Sequence, residues 1–154
     1  MTAQDVYAAL MKDTLAPALR ALGLRGSGGR FSLPSDTHWA LLGFQRSVWD
    51  DRDEIQLTVN LTVIGRAAWA SEVAGNPWQA ARPNPNHEYG TLASQTRLGL
   101  LLPGGTDTWW TVRADEPTDT VTDDVLAAIR DVGIPWLRTQ IVSGPQAYRH
   151  GSPP

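Results

Sequence analysis

The strongest alternation in the chain runs from residue 54 to residue 64. Ile55, Leu57, Val59, Leu61 and Val63 alternate there with Glu54, Gln56, Thr58, Asn60 and Thr62. Successive side chains of a strand point to opposite faces, so this segment is expected to form a half-buried strand with one apolar and one polar face. His38–Trp49 is the matching strand, and Asp50–Asp53 is the hairpin loop between them. That loop length sets Trp49 against Glu54 and Val48 against Ile55. Continued, the register pairs Phe44 with Val59 and Leu42 with Leu61, which gives one consistent apolar face.

Helical spacing marks both ends of the chain. Tyr7, Met11, Leu15, Ala18 and Leu22 form a stripe over Thr2–Leu22, with Thr2 and Asp5 spaced as a capping box and Gly23 as the stop. Pro17 interrupts the pattern: either the helix kinks there, or a second helix begins at Asp13 or Thr14. Val121, Val125, Ile129 and Val132 make a second stripe, capped by Thr120 or Thr122 and stopped by Gly133, with one more turn at Pro135–Leu137. Arg25–Arg30 reads as a flexible connector, Phe31–Leu33 as a short strand, and Arg66–Ala74 as a helix ended by Gly75. Asn76–Gly90 is an exposed loop. Ser94–Leu102 and Thr108–Arg113 are expected to form a second hairpin across Pro103–Asp107. Together these elements predict a single α+β domain over residues 1–143, a twisted antiparallel sheet of four to five strands packed by an N-terminal and a C-terminal helix. Residues 144–154 form a tail too poor in apolar side chains to fold alone.

Composition narrows the picture mostly by exclusion. With 42% hydrophobic and 19% charged residues, the chain has globular values. A net charge of -3, with the basic residues scattered, offers no stripe for nucleic acid. The chain has no cysteine, which excludes disulfides and thiolate chemistry and fits a reducing compartment. No apolar run approaches the roughly 18 residues that span a membrane. Met1–Leu10 carries Asp5 and lacks the basic start of a signal peptide, so a cytoplasmic location is expected.

Candidate chemistry is sparse. His38, His87 and His150 share no ligand spacing, so neither a metal site nor a cofactor is expected. Gly26, Gly28 and Gly29 follow a helix and precede a strand, the reverse of the order in a phosphate-binding loop. Ser27 and Ser143 lack the nucleophile-elbow pattern. Asp50, Asp51, Asp53 and Glu54 crowd a hairpin tip, where a solvated turn is the expectation. No catalytic residue is assigned.

The tryptophans are different. Seven of them in 154 residues exceed what a core of this size absorbs, so some must face outward. The hairpin register puts Trp39, Gln45, Ser47 and Trp49 beside Gln56, Thr58, Asn60 and Thr62 on the face away from the core. Aromatic rings among amides and hydroxyls suit a ligand or partner, and Arg97 joins the candidates as an anion- or amide-binding group. The competing expectation is that this face is covered by the 76–90 loop or by solvent. Arg46 is the awkward residue, set on the apolar face opposite Leu57. It must either snorkel from a sheet margin or meet an acid such as Glu72.

Several short words add a resemblance. They are Leu22-Gly23-Leu24 after the first helix, Phe31, Gly43-Phe44-Gln45-Arg46-Ser47, Leu57-Thr58-Val59-Asn60-Leu61, Arg97-Leu98-Gly99, the Trp109-Trp110 pair and Ile134-Pro135-Trp136-Leu137. In this order the chain resembles the bacterial family catalogued as domain of unknown function 4304, over about residues 3 to 140. The resemblance implies an α+β fold and brings no established reaction.

The expected function is therefore a small binding module without chemistry of its own, in one version an immunity- or antitoxin-like protein that occupies a toxin's active site. It would act on a small ligand or a protein partner, with neither nucleic acid nor membrane involved. Two other expectations stand beside it. One is a hydrolase or transferase built from Arg97, Asn60, Gln45 and Arg113 with Asp107 or His38 as base; the other is a homodimer, in place of a monomer, joined through exposed tryptophans.

Overall fold

The computed structural model describes residues 1–142 of the chain. Its centre is an antiparallel sheet of six strands: β1 (Arg25–Ser27), β2 (Arg30–Leu33), β3 (His38–Arg46), β4 (Glu54–Gly65), β5 (Ser94–Arg97) and β6 (Trp110–Arg113). The expected register holds at every β3–β4 pair, with Phe44 opposite Val59 and Leu42 opposite Leu61. Strand β3 stops at Arg46, however, and Trp49 lies in the turn beyond it. The turn is made by carboxylates. Asp50 Oδ1 accepts the Gln56 amide at 2.8 Å, and Asp51 Oδ1 accepts those of Asp53 and Glu54 at 2.8 and 2.9 Å.

Helices cover one face of this sheet. The N-terminal helix runs through α1 (Ala3–Leu10), a π-helical segment (Met11–Leu15) and α2 (Ala16–Ala21); the C-terminal one runs through α4 (Asp119–Ala128), a second π-helical segment (Ile129–Gly133) and α5 (Ile134–Val142). The capping box at Thr2 and Asp5 is present. Pro17 lies in the first turn of α2, which begins at Ala16 directly after the π-helical segment, so the new element starts two or three residues later than Asp13 or Thr14. In both helices the wide π turn immediately precedes a residue–proline pair, Ala16–Pro17 and Ile134–Pro135. A proline ring collides with the carbonyl four residues back, and the wider turn gives it room.

Gly133 does not stop its helix. It is buried, and a Cβ there would lie 3.4 Å from Leu98 Cδ1, in ordinary van der Waals contact. Thr118 occupies the N-cap of α4 without a side-chain bond, upstream of both expected caps.

Leu10, Leu15 and Leu19 from one helix and Val125, Ile129, Ile134 and Leu137 from the other meet Leu42, Phe44, Leu57, Val59 and Leu61 in one core. Arg46 sits at its margin with 43% of its side chain exposed. It snorkels as expected, but its acid is Asp50 at 3.1 Å, not Glu72.

Two further expectations fail at the sheet edges. Residues 25–30 are no loose connector but part of a tight β1–β2 hairpin. Gly28 and Gly29 both take positive φ, 62° and 84°, as the mirror-image two-residue turn requires. On the other side β5 and β6 do not pair with each other. Both pair with β4, β5 along Asn60–Val63 and β6 along Glu54–Leu57, so they form one edge strand interrupted by residues 98–109. The excursion is pinned where Gly99 touches the Thr108 backbone, an approach that leaves no room for a Cβ.

Helix α3 (Arg66–Gly75) and the 76–90 segment lie across the sheet from the core. They carry a second, smaller cluster in which Trp69, Ile64 and Ala93 are buried beside Trp39, Tyr89 and Leu92.

Candidate functional site

Outward-facing side chains of β3 and β4 start as a polar strip, and most of that strip is closed. Thr62 Oγ1 donates to the Pro85 carbonyl at 3.2 Å, and Asn60 Nδ2 donates to Asn86 Oδ1 at 3.0 Å. Asn86 Nδ2 in turn donates to the Phe44 carbonyl at 3.3 Å. Gln95 fastens the other side of the loop, donating to Thr62 Oγ1 and the His87 carbonyl and accepting the Tyr89 amide. Gly43 makes room for this cover, since a Cβ there would run into Asn86 and Pro85. Thr58 is fully buried under the 98–109 excursion and donates to the Thr108 carbonyl at 3.1 Å. Thr58 and Asn60, two of the expected binding residues, are thus spent on holding covers in place.

What remains open is divided between the two ends of the strip. At one end Gln45, Ser47, Trp49 and Arg97 line a shallow depression of about 320 Å³ with Gln56 and Trp109. A chain of bonds stiffens its floor. Asn60 Nδ2 donates to Gln45 Oε1 at 2.7 Å, and Arg97 Nη1 meets Asp107 Oδ2 at 2.6 Å. The Trp109 indole N–H also donates to that Asp107 oxygen, at 3.3 Å. Arg97 is therefore neutralised. Trp49 is 88% exposed and projects from the hairpin tip rather than from the sheet.

Trp39 is at the other end, six residues and about 20 Å along the strand from Gln45. The expected set is split in two. Around Trp39 lies a larger cleft of about 830 Å³, walled by the β1–β2 hairpin, residues 34–36, the start of α3 and residues 78–87. Arg25, Arg30, Arg66 and Arg82 all line it, against a single carboxylate, Asp36. The Arg66 guanidinium carbon lies 3.9 Å from the centre of the Trp39 ring and that of Arg82 lies 5.0 Å from it, so two cations share one indole. Arg66 is aimed by its Nε–H, which donates to the Ser35 carbonyl at 3.1 Å. Among the described residues none of these four arginines is in an ion pair; the pairs present involve Arg46, Arg97, Arg113 and Arg130. Trp78 stands at the cleft wall with 79% of its surface exposed.

The arginines and Trp78 were not readable as site residues in the sequence. They come from three separate segments, and no spacing joins them. The one available signal was the surplus of tryptophan.

The dispersed catalytic set is also only partly assembled. Arg97, Asn60, Gln45 and Asp107 are neighbours. Arg113 is at the far end of β4, paired with Glu54 at 2.6 Å, and His38 lies beside Trp39 with its Nδ1 2.8 Å from Thr37 Oγ1. Among the described residues no three carboxylate or imidazole side chains cluster closely enough to hold a metal ion. No helix among them is long and apolar enough to cross a membrane. His150 and Ser143 fall outside the described residues.

Sheet, helices and cleft define an α+β domain with two open depressions flanking a sealed polar strip. The chain belongs to the family described as Domain of unknown function (DUF4304), which matches residues 15–139. No curated protein and no solved structure matches it.

Proposed function

We propose that the protein is a non-catalytic binding module whose ligand enters the cleft at Trp39. One observation carries this reading. The polar sheet face is sealed along its middle, yet at Trp39 a cleft of about 830 Å³ stays open, walled by arginines and aromatic rings. The arginines hold ligands well and transfer protons poorly, because a guanidinium does not give up its proton near neutral pH. Two histidines also line the cleft, and both are engaged by neighbours: His38 Nδ1 is 2.8 Å from Thr37 Oγ1, and the His87 ring packs against Tyr89. The cleft's one carboxylate, Asp36, is solvent-exposed. Among the described residues the one strongly displaced phenol, Tyr7, is pushed up to about 12 by burial and packs against the core on the opposite side of the sheet. The proposal extends to a cytoplasmic setting, which a cysteine-free chain suits.

The test is retention from a small-molecule extract. Protein incubated with the extract and separated rapidly by gel filtration should carry a compound of unaltered mass, absent from Trp39→Ala and Arg82→Gln variants that melt normally. Conversion of that compound, or equal retention by the variants, contradicts the reading.

A further inference from the structure

We infer that the ligand of the Trp39 cleft is a small organic molecule bearing a phosphoryl group. The inference rests on the binding-module reading and adds the chemistry of what is bound. In a chain of net charge -3, four of the thirteen basic residues converge on one cleft that contributes a single carboxylate. Two of the four, Arg66 and Arg82, are held over the same ring. Their guanidinium carbons are therefore no more than about 9 Å apart, where like charges repel, and neither arginine is in an ion pair among the described residues. The indole face lowers that cost only in part. An anion in the cleft that both arginines line removes it.

A monoanionic carboxylate is satisfied by one arginine fork, whereas a phosphoryl dianion presents three oxygens and takes two or more. Arg66 is already oriented for this. Its Nε–H is committed to Ser35, which leaves the terminal nitrogens for the ligand. Arg25 and Arg30 add charge from the hairpin opposite. The remaining wall explains the organic body, since Trp78 offers an exposed aromatic face beside these cations. Confinement argues against a nucleic-acid strand, which needs a basic stripe along a surface rather than a pocket. At about 830 Å³ the cleft has the size of a small-ligand site.

Calorimetric titration of the full chain with pyrophosphate, AMP, ribose 5-phosphate, citrate and a single-stranded decanucleotide tests this directly. AMP and ribose 5-phosphate should bind saturably, and more weakly as salt is raised. Each of Arg30→Gln and Arg82→Gln should weaken them about tenfold or more, the loss expected for one charge-assisted contact, without lowering the unliganded melting temperature. Trp78→Ala should weaken AMP more than pyrophosphate. The proposal is overturned if no phosphate probe saturates, if citrate binds and the phosphates do not, if the oligonucleotide binds tighter than AMP, or if the arginine variants bind like the native protein. Failure on these probes, with a non-phosphorylated compound still retained from extract at Trp39, would overturn the phosphoryl inference and leave the binding module standing.

Discussion

The two faces of the β3–β4 hairpin are both covered, but by different physics. On one, helices bury Leu42, Phe44, Val59 and Leu61 in a dry core. On the other, an irregular loop is fastened by amide and hydroxyl bonds from Asn60, Thr62, Asn86 and Gln95. Hydrophobic cover needs only the right spacing and shape, and is worth about 25 cal/mol for each Å² removed from water. Hydrogen-bonded cover contributes less per contact and depends on each partner being in place. A face closed this way can end abruptly, and this one does, leaving the Trp39 cleft open at its margin.

The contrast makes graded predictions. Leu61→Ala on the core face should cost about 2–5 kcal/mol in denaturant unfolding, because a fully buried leucine leaves a cavity. A cost below about 1 kcal/mol would mean that the core face is not packed as described. Gly43→Val should cost about 1–3 kcal/mol by pushing Asn86 and Pro85 off the sheet, and should speed proteolysis within residues 76–90. Asn86→Ala removes bonds to Asn60 and Phe44 and should cost about 1–2 kcal/mol with the core intact. If Asn86→Ala cost more than Leu61→Ala, the assignment of roles to the two faces would be reversed.

Tyr7 supplies a pH-dependent check on the core side. Its phenol is raised from 10 to about 12, first by burial, so the folded state holds the proton more tightly than the unfolded one. The stabilisation is fully present below pH 10 and lost as pH rises towards about 12. Difference titration of native protein against Tyr7→Phe at 295 nm should show one phenol ionising in that upper range. The smallest effect belongs to the exposed hairpin tip: Trp49→Ala should change stability by no more than about 0.5 kcal/mol. If Trp49 instead joins two copies, the same substitution will reduce the mass seen by light scattering.

Sequence pattern revealed the two faces unequally. Strict alternation over residues 54–64 gave the strand, its register and its core side, because burial of every second residue imposes a period. The helical stripes emerged for the same reason. The glycines misled. Gly133 looks like a stop and is buried inside a helix that runs on to Val142, while Gly28 and Gly29 look like slack and are a tight turn. Nothing periodic announces that Asn86 reaches Asn60, or that residues 98–109 interrupt an edge strand, since such contacts depend on where a loop returns in space. The polar candidates therefore read as one row, although the fold buries Thr58, binds Asn60 to the loop and leaves Trp39 far from Trp49. Arg66 and Arg82 became visible only once both lay over the Trp39 ring.

Hydrogen–deuterium exchange of the full chain with and without saturating AMP locates the site most directly. Slowed exchange should concentrate in residues 34–38, around Arg66 and in residues 78–87, with residues 45–49 and 97–109 unchanged. Protection confined to the Gln45–Trp49 and Arg97–Trp109 end, or spread evenly over the sheet, would contradict a binding cleft at Trp39.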